Sequence, residues 1–296
     1  MGGSTSKEDE SSTVACCAAT GASGPGPGHL RGDGVEAAAT TVPPPPLPTF
    51  VSGTGAPSRS EILSDEAVRA LNQRINCPEW RLHFSSTAHG TSFTRMLNNI
   101  SYKGSSLVVV RENAVGGVPG RVFGGFADTS WVVGKAFFGG SRCFLFVEGE
   151  GGTKIHRAND ANRLYLNSHS DNYPNVLAFG GQLYDFEGKG KTFTGFWGLS
   201  IASDLATGTS ASCATYGNDE LPANTKSSDH SFGVDCVEVW GTDPDFELST
   251  DEKYEMARKM GTQFDGATAF VLESAGVAQN AKAAGIDDHK IGGSGQ

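Results

Sequence analysis

Phe232-Gly233-Val234-Asp235-Cys236-Val237-Glu238-Val239-Trp240 reads as a β-strand, with apolar side chains interleaved with Gly233, Asp235 and Glu238. It ends a series of similar pieces. Upstream stand Leu107-Val108-Val109-Val110, Val122-Phe123-Gly124-Gly125-Phe126, Cys143-Phe144-Leu145-Phe146-Val147, Lys154-Ile155-His156, Leu164-Tyr165-Leu166, Val176-Leu177-Ala178-Phe179 and Phe196-Trp197-Gly198-Leu199-Ser200-Ile201. Each is short, apolar or alternating, and set off from the next by Gly- and Asn-bearing turns. Many short strands with turn signals between them predict two packed antiparallel sheets.

Helical patterns flank the strands. Ser64 precedes Asp65 and Glu66, which suit the positive end of a helix dipole, and Val68, Leu71 and Ile75 then recur at helical spacing up to Pro78. Phe93, Met96, Leu97 and Ile100 predict a second helix. Beyond Trp240, Thr250 is placed to cap Asp251-Glu252, with Arg258-Lys259 in the last turn and Gly261 as the stop. A final helix is expected from about Asp265, with Ala267, Val271, Leu272 and Ala275 on one stripe. The fold class is therefore α+β: a two-sheet antiparallel β-sandwich with flanking helices.

The start of the chain has another texture. Eight of the 13 prolines lie in the first 60 of 296 residues, among few large apolar side chains, so this stretch buries too little surface to offset its ordering entropy. The expected organisation is a disordered arm over 1–60, a folded domain over 61–245 and a helical extension over 246–296. Within the arm, Pro43 to Pro46 followed by Leu47-Pro48 populates polyproline II, which serves either as a ligand for an aromatic groove or as a stiff spacer. The formal net charge of −10 argues against a nucleic-acid partner, which needs a basic field. No apolar run reaches the length of a spanning helix and no secretory signal is legible, so an intracellular protein is expected.

Met1-Gly2-Gly3-Ser4-Thr5-Ser6 fits the myristoylation pattern, with Gly2 exposed once Met1 is removed. One such chain gives only marginal, reversible membrane binding. Glu8-Asp9-Glu10 rules out a polybasic second signal, which leaves Cys16 and Cys17 either as palmitoylation sites or as plain thiols.

No enzymatic constellation emerges from the motifs. Gly190-Lys191-Thr192 ends like a P-loop, but Asp185 stands where its first Gly belongs. Gly208-Thr209-Ser210-Ala211-Ser212 lacks the closing Gly of a nucleophile elbow. Asp243-Pro244-Asp245-Phe246-Glu247 begins like a calcium loop, yet Leu248 replaces its turn Gly. The seven His have no metal-ligand spacing, and the six Cys form neither a disulfide framework nor a zinc site. No cofactor and no metal is expected. Cys77, Cys143, Cys213 and Cys236 read as reduced thiols, mostly buried in strands.

The segments Trp80 to Phe93, Phe123 to Phe126 with Trp131, and Phe137-Phe138-Gly139 leading to Phe144-Leu145-Phe146 resemble a TLDc domain. So do Gly198 to Leu205, the set Gly208, Ser210, Cys213, Thr215, Tyr216, Gly217 and Asn218, and Val237 to Trp240. The resemblance spans about 180 residues in the family's order and assigns 61–245 to this domain. It implies a two-sheet sandwich, a role in oxidative-stress resistance, and binding to the vacuolar proton pump (V-ATPase) at a lysosomal or vacuolar membrane, with no accepted catalytic residues. On that footing Val271, Leu272 and Ala275 are candidate partner-binding residues. The alternative is a redox-active or peroxide-scavenging protein that uses Cys213, set near Asp204 or a His.

Overall fold

The computed structural model describes residues 45–134, 136–168, 176–185, 191–193, 196–226 and 228–259, without the side chains of 183–185, 191–193, 257 and 259. The body opens with strand β1 (Thr49–Val51), helix α1 (Asp65–Ile75), strand β2 (Glu79–Ser85), the single turn α2 (Ser86–His89) and helix α3 (Phe93–Ile100). Strands β3 (Ser106–Glu112), β4 (Val122–Ala127), β5 (Phe144–Gly149) and β6 (Gly152–Arg157) follow as an antiparallel meander. Then come β7 (Leu166–Asn167), β8 (Leu177–Phe179), β9 (Leu183–Asp185), β10 (Lys191–Phe193), β11 (Leu199–Ile201), β12 (Thr207–Thr209), the long β13 (Ser231–Gly241) and helix α4 (Thr250–Lys259).

The strand that closes the series joins the two layers. Ser231 to Gly233 of β13 pair with β12, which continues through β11 and β8 to β7. From Val234 to Gly241 the same strand pairs with β3, and from Glu238 it also pairs with β2 on its other edge. The register shifts between Val234 and Cys236, the place where one extra residue lets a strand bend from one layer into the other. The expected pair of sheets is thus one hydrogen-bonded network of eleven strands sharing β13, with β9 and β10 as a separate hairpin.

The main core fills the space between the layers. Phe84, Val108, Val110, Phe123 and Leu145 meet Leu166, Leu177, Phe179, Leu199 and Ile201 there. The outer face of the first sheet is buried as well, because Ala67, Val68 and Leu71 of α1 cover Leu107, Val109, Phe144 and Phe146. Residues of β3 therefore alternate between two apolar environments, which explains why Leu107 to Val110 is an unbroken apolar run. Adjacent glycines on β4 serve the two faces. A Cβ at Gly125 would come within 2.7 Å of the Phe179 ring, and one at Gly124 within 2.8 Å of the Phe146 ring.

The helix signals hold in detail. Ser64 accepts from the Ala67 N–H, Asn76 ends α1 in the left-handed region, and Phe93, Met96, Leu97 and Ile100 are all buried. The cap of α4 is one residue earlier than expected. Ser249, not Thr250, accepts from the Glu252 N–H, while the Glu252 carboxylate accepts from the Ser249 N–H at 2.9 Å, a reciprocal box that competes better for the first-turn donors.

Both expected domain boundaries move. β1 lies inside the stretch assigned to the disordered arm, adding in parallel to β2, with Phe50 edge-on to Trp80 and Trp240 at 5.5 and 4.9 Å. The buried Glu238 carboxylate accepts from the Ser60 hydroxyl, the Glu61 N–H and the Trp240 indole, which ties residues 60 and 61 to β13. Averaging composition over sixty residues hid the short β-forming cluster Thr49-Phe50-Val51. At the other end, Leu248, Tyr254 and Met256 pack against the main core, so residues 246–259 belong to the body rather than to a separate extension.

Candidate functional site

Cys213, the thiol singled out from the sequence, is sealed. It is 2% exposed, and its Sγ donates to Asn218 Oδ1 at 3.1 Å. Gly180 and Gly198 press on it so closely that a Cβ at either would come within 3 Å of the sulfur. Burial raises the thiol pKa, so the nucleophilic thiolate is disfavoured at neutral pH. Asp204 is not its partner; that carboxylate accepts from the Ala206 and Thr207 N–H groups and the Thr207 hydroxyl, closing the turn between β11 and β12. The expected buried thiol is what the structure holds, and the alternative of a reactive Cys213 beside Asp204 finds no support in this geometry. Cys143 is also pushed up by burial, and then by the Asp128 charge, to about 12, and burial raises Cys77 too.

The residues around Cys213 act as structural staples. Thr215 donates to Asn162 and accepts from the Gly181 N–H, Tyr216 donates to the Tyr165 carbonyl, and Ser210 donates to the Gly198 carbonyl while accepting from the Leu221 N–H. The segment carrying Gly208 through Asn218 thus binds the second layer to its crossing loops.

An open polar cleft of about 420 Å³ lies where β2, α3 and the stretch after β13 meet. Arg81, His83, His89 and Lys103 line it together with Asp243 and Glu247. Burial, then the charges of Lys103 and Arg81, lowers the His83 pKa to about 4, so its ring is neutral at pH 7. His89 Nδ1 accepts from the Ser85 N–H at 2.9 Å, which puts the proton of the neutral ring on Nε2, and the ring stacks on Phe84. Asn99 donates to the His83 carbonyl at 3.0 Å and fixes α3 against β2. The lining combines the imidazoles of His83 and His89 and the amides of Asn98 and Asn99 with charges of both signs. The arrangement suits recognition by hydrogen bonds and paired charges.

Sequence reasoning did not group His83 with His89. They stand six residues apart across the end of β2 and a single helical turn, which is neither a helix nor a hairpin spacing. The available signal was Gly241, the small residue closing β13 against which His83 packs. Among the described residues no three His, Cys, Asp or Glu side chains converge for a metal ion. Gly2, Cys16, Cys17, Val271, Leu272 and Ala275 lie outside the described residues, so the lipidation and partner-binding expectations have no structural counterpart here.

The TLDc domain model matches residues 57–243. MTOR-associated protein MEAK7 of Mus musculus is 36% identical over 166 residues, which is 55% of this chain and 32% of that protein. Oxidation resistance protein 1 of Yarrowia lipolytica is 32% identical over 209 residues, covering 66% of this chain and 80% of that protein. Nuclear receptor coactivator 7 of Homo sapiens is 26% identical over 179 residues, 60% of this chain and 16% of that protein. The match therefore spans about a third of the length of the MEAK7 relative.

Proposed function

Because the chain belongs to the TLDc family, we propose that it is a non-enzymatic binding module that associates with the V-ATPase at a lysosomal or vacuolar membrane and supports resistance to oxidative stress. The observation that carries the non-enzymatic reading is the sealing of Cys213, which leaves the main alternative without a thiolate. A relative named for oxidation resistance, with four-fifths of its length matched, supports the stress role. The relatives named for association with MTOR support action through protein partners. The pump association rests on the family resemblance, and the membrane on the Gly2 pattern.

The test is affinity purification of the full chain from cell membranes, with Gly2→Ala run in parallel. V-ATPase subunits are expected to co-elute, and Gly2→Ala is expected to move the chain to the soluble fraction because the marginal hold of one acyl chain is lost. Absence of pump subunits overturns the partner, and an unchanged distribution overturns the lipid.

A further inference from the structure

The polar cleft between β2, α3 and the stretch after β13 carries charges that the fold leaves without partners. Lys103, Asp243 and Glu247 are exposed there, and none of the three forms an ion pair with another described residue. The Arg81 guanidinium bonds Glu79 through Nη2 at 3.0 Å, while its buried Nε–H has no hydrogen-bond partner among the described residues. Neither ring nitrogen of His83 bonds a described residue. Buried polar groups in folded proteins almost always find a partner in protein, water or ligand. Two such groups on one strand, beside a wall of unpaired charge, mark a place where an outside molecule is met.

The walls are fixed by the fold itself. The Thr242 N–H donates to the Ser105 carbonyl at 3.0 Å, and the Phe246 N–H to the Asp243 carbonyl at 3.1 Å, which holds the acidic stretch beside the Lys103 segment. Gly104 permits that approach. It stands at φ +78°, and a Cβ there would come within 2.9 Å of Phe246 and 3.1 Å of the Asp243 side chain. On the facing wall Asn99 donates to the His83 carbonyl, and the Ser85 N–H holds the His89 ring. A site already in its bound shape loses little conformational freedom on binding. The charges then select the ligand. A simple anion drawn to Lys103 and Arg81 is repelled by Asp243 and Glu247, and a simple cation meets the reverse. A molecule with a carboxylate at one end and a cation at the other suits both. The volume of about 420 Å³ is within the range of sites for drug-sized ligands, the size of a short peptide.

We propose that this cleft binds a short zwitterionic peptide, its carboxylate against Lys103 and Arg81 and its cation against Asp243 and Glu247. The two charges come either from the ends of a free peptide or from side chains in an exposed segment of another protein. The test is an NMR titration of the full chain with triglycine, whose ends carry both charges, and with a lysyl-glycyl-glutamate tripeptide blocked at both ends, whose side chains carry them. Triglycine blocked at one end or the other supplies the singly charged controls. Saturable shifts of the His83 and His89 ring signals are expected with a doubly charged probe, and the probe that binds more tightly identifies the source. Each control is expected to bind about tenfold more weakly, and Lys103→Ala and Glu247→Ala each to weaken binding by about as much. Tm should barely change in either variant, because both side chains are exposed. A carboxylate bound beside His83 should also raise the pKa of its ring, read from the ring shifts against pH with and without the probe. No saturation by either doubly charged probe up to tens of millimolar overturns the proposal. So does equal binding by a singly charged control, or binding that both variants leave intact.

Discussion

The imidazole of His83 rests on the backbone of Gly241, where a Cβ would overlap its Nε2. β2 and β13 are paired here, Gly241 opposite Arg81, so the ring lies across the seam between two strands. The same ring forms part of the polar cleft's wall. One small residue thus decides whether the cleft keeps its present shape.

Gly241→Ala is expected to drive the ring out of its place and strain the end of β13. Overpacking a filled site costs about 1–3 kcal/mol, so a clear fall in Tm is expected. Thermal unfolding of the variant beside Gly53→Ala, whose added Cβ would meet its nearest atom, the Leu82 carbonyl oxygen, at 3.4 Å, checks this. Equal stability of the two variants contradicts the packing argument.

His83 also sets an expected pH dependence. Its pKa falls from 6.5 in the unfolded chain to about 4 in the fold, so between those values the unfolded state binds more protons. Stability is complete above pH 6.5 and is lost as pH falls towards 4, by roughly 3 kcal/mol over the window at ~1.4 kcal/mol per pH unit. His156, lowered mainly by burial and then by Lys154, acts in the same direction. Glu148, raised mainly by burial, opposes them. Chemical denaturation from pH 4 to 7 should show the slope, and His83→Asn should flatten most of it. An unchanged slope in the variant removes His83 as its source.

Much of the fold was legible because local signals agreed with one another. Ser64 before two acids, the spacing of Phe93 to Ile100 and the strand run ending at Trp240 each reflect a pattern that backbone geometry enforces within ten residues. What was not legible depended on distant partners. Nothing near Thr49-Phe50-Val51 announces a parallel partner thirty residues on, and nothing near Glu238 announces that it captures Ser60 and Glu61. The cleft has the same character, since Lys103 and Asp243 reach one wall only through the pairing of β13 with β3, where Gly241 stands opposite Ser106. Cys213 was legible as buried, because its neighbours in sequence supply no cation and the fold adds none as a hydrogen-bond partner.

The thiols give a direct check on the non-enzymatic reading. With Cys77, Cys143, Cys213 and Cys236 all buried, a native chain carrying Cys16→Ser and Cys17→Ser should react with a thiol reagent only after denaturation. Cys213→Ser should cost some stability through its packed site, while protection of cells against peroxide should persist. A fast-reacting thiol in the native chain, or lost protection by a folded Cys213→Ser variant, favours the redox alternative.

The last prediction concerns the stretch after α4. The described body is closed at this end by Leu248, Tyr254 and Met256, so its core does not call for another helix. The sequence nevertheless predicts one from about Asp265, with a narrow stripe of Ala267, Val271, Leu272 and Ala275. An amphipathic helix of this kind either packs on its own domain or lies in a partner's groove, and the filled core favours the groove. Replacing Val271 and Leu272 together with Asp places charge on the apolar stripe. If the stripe enters a partner, binding to the V-ATPase should weaken by several kcal/mol, the order of the penalty for burying unpaired charge, while the Tm of the chain barely changes. Pump affinity measured beside thermal unfolding separates the two arrangements. A large fall in Tm, or undiminished pump binding, would place the helix in the protein's own core.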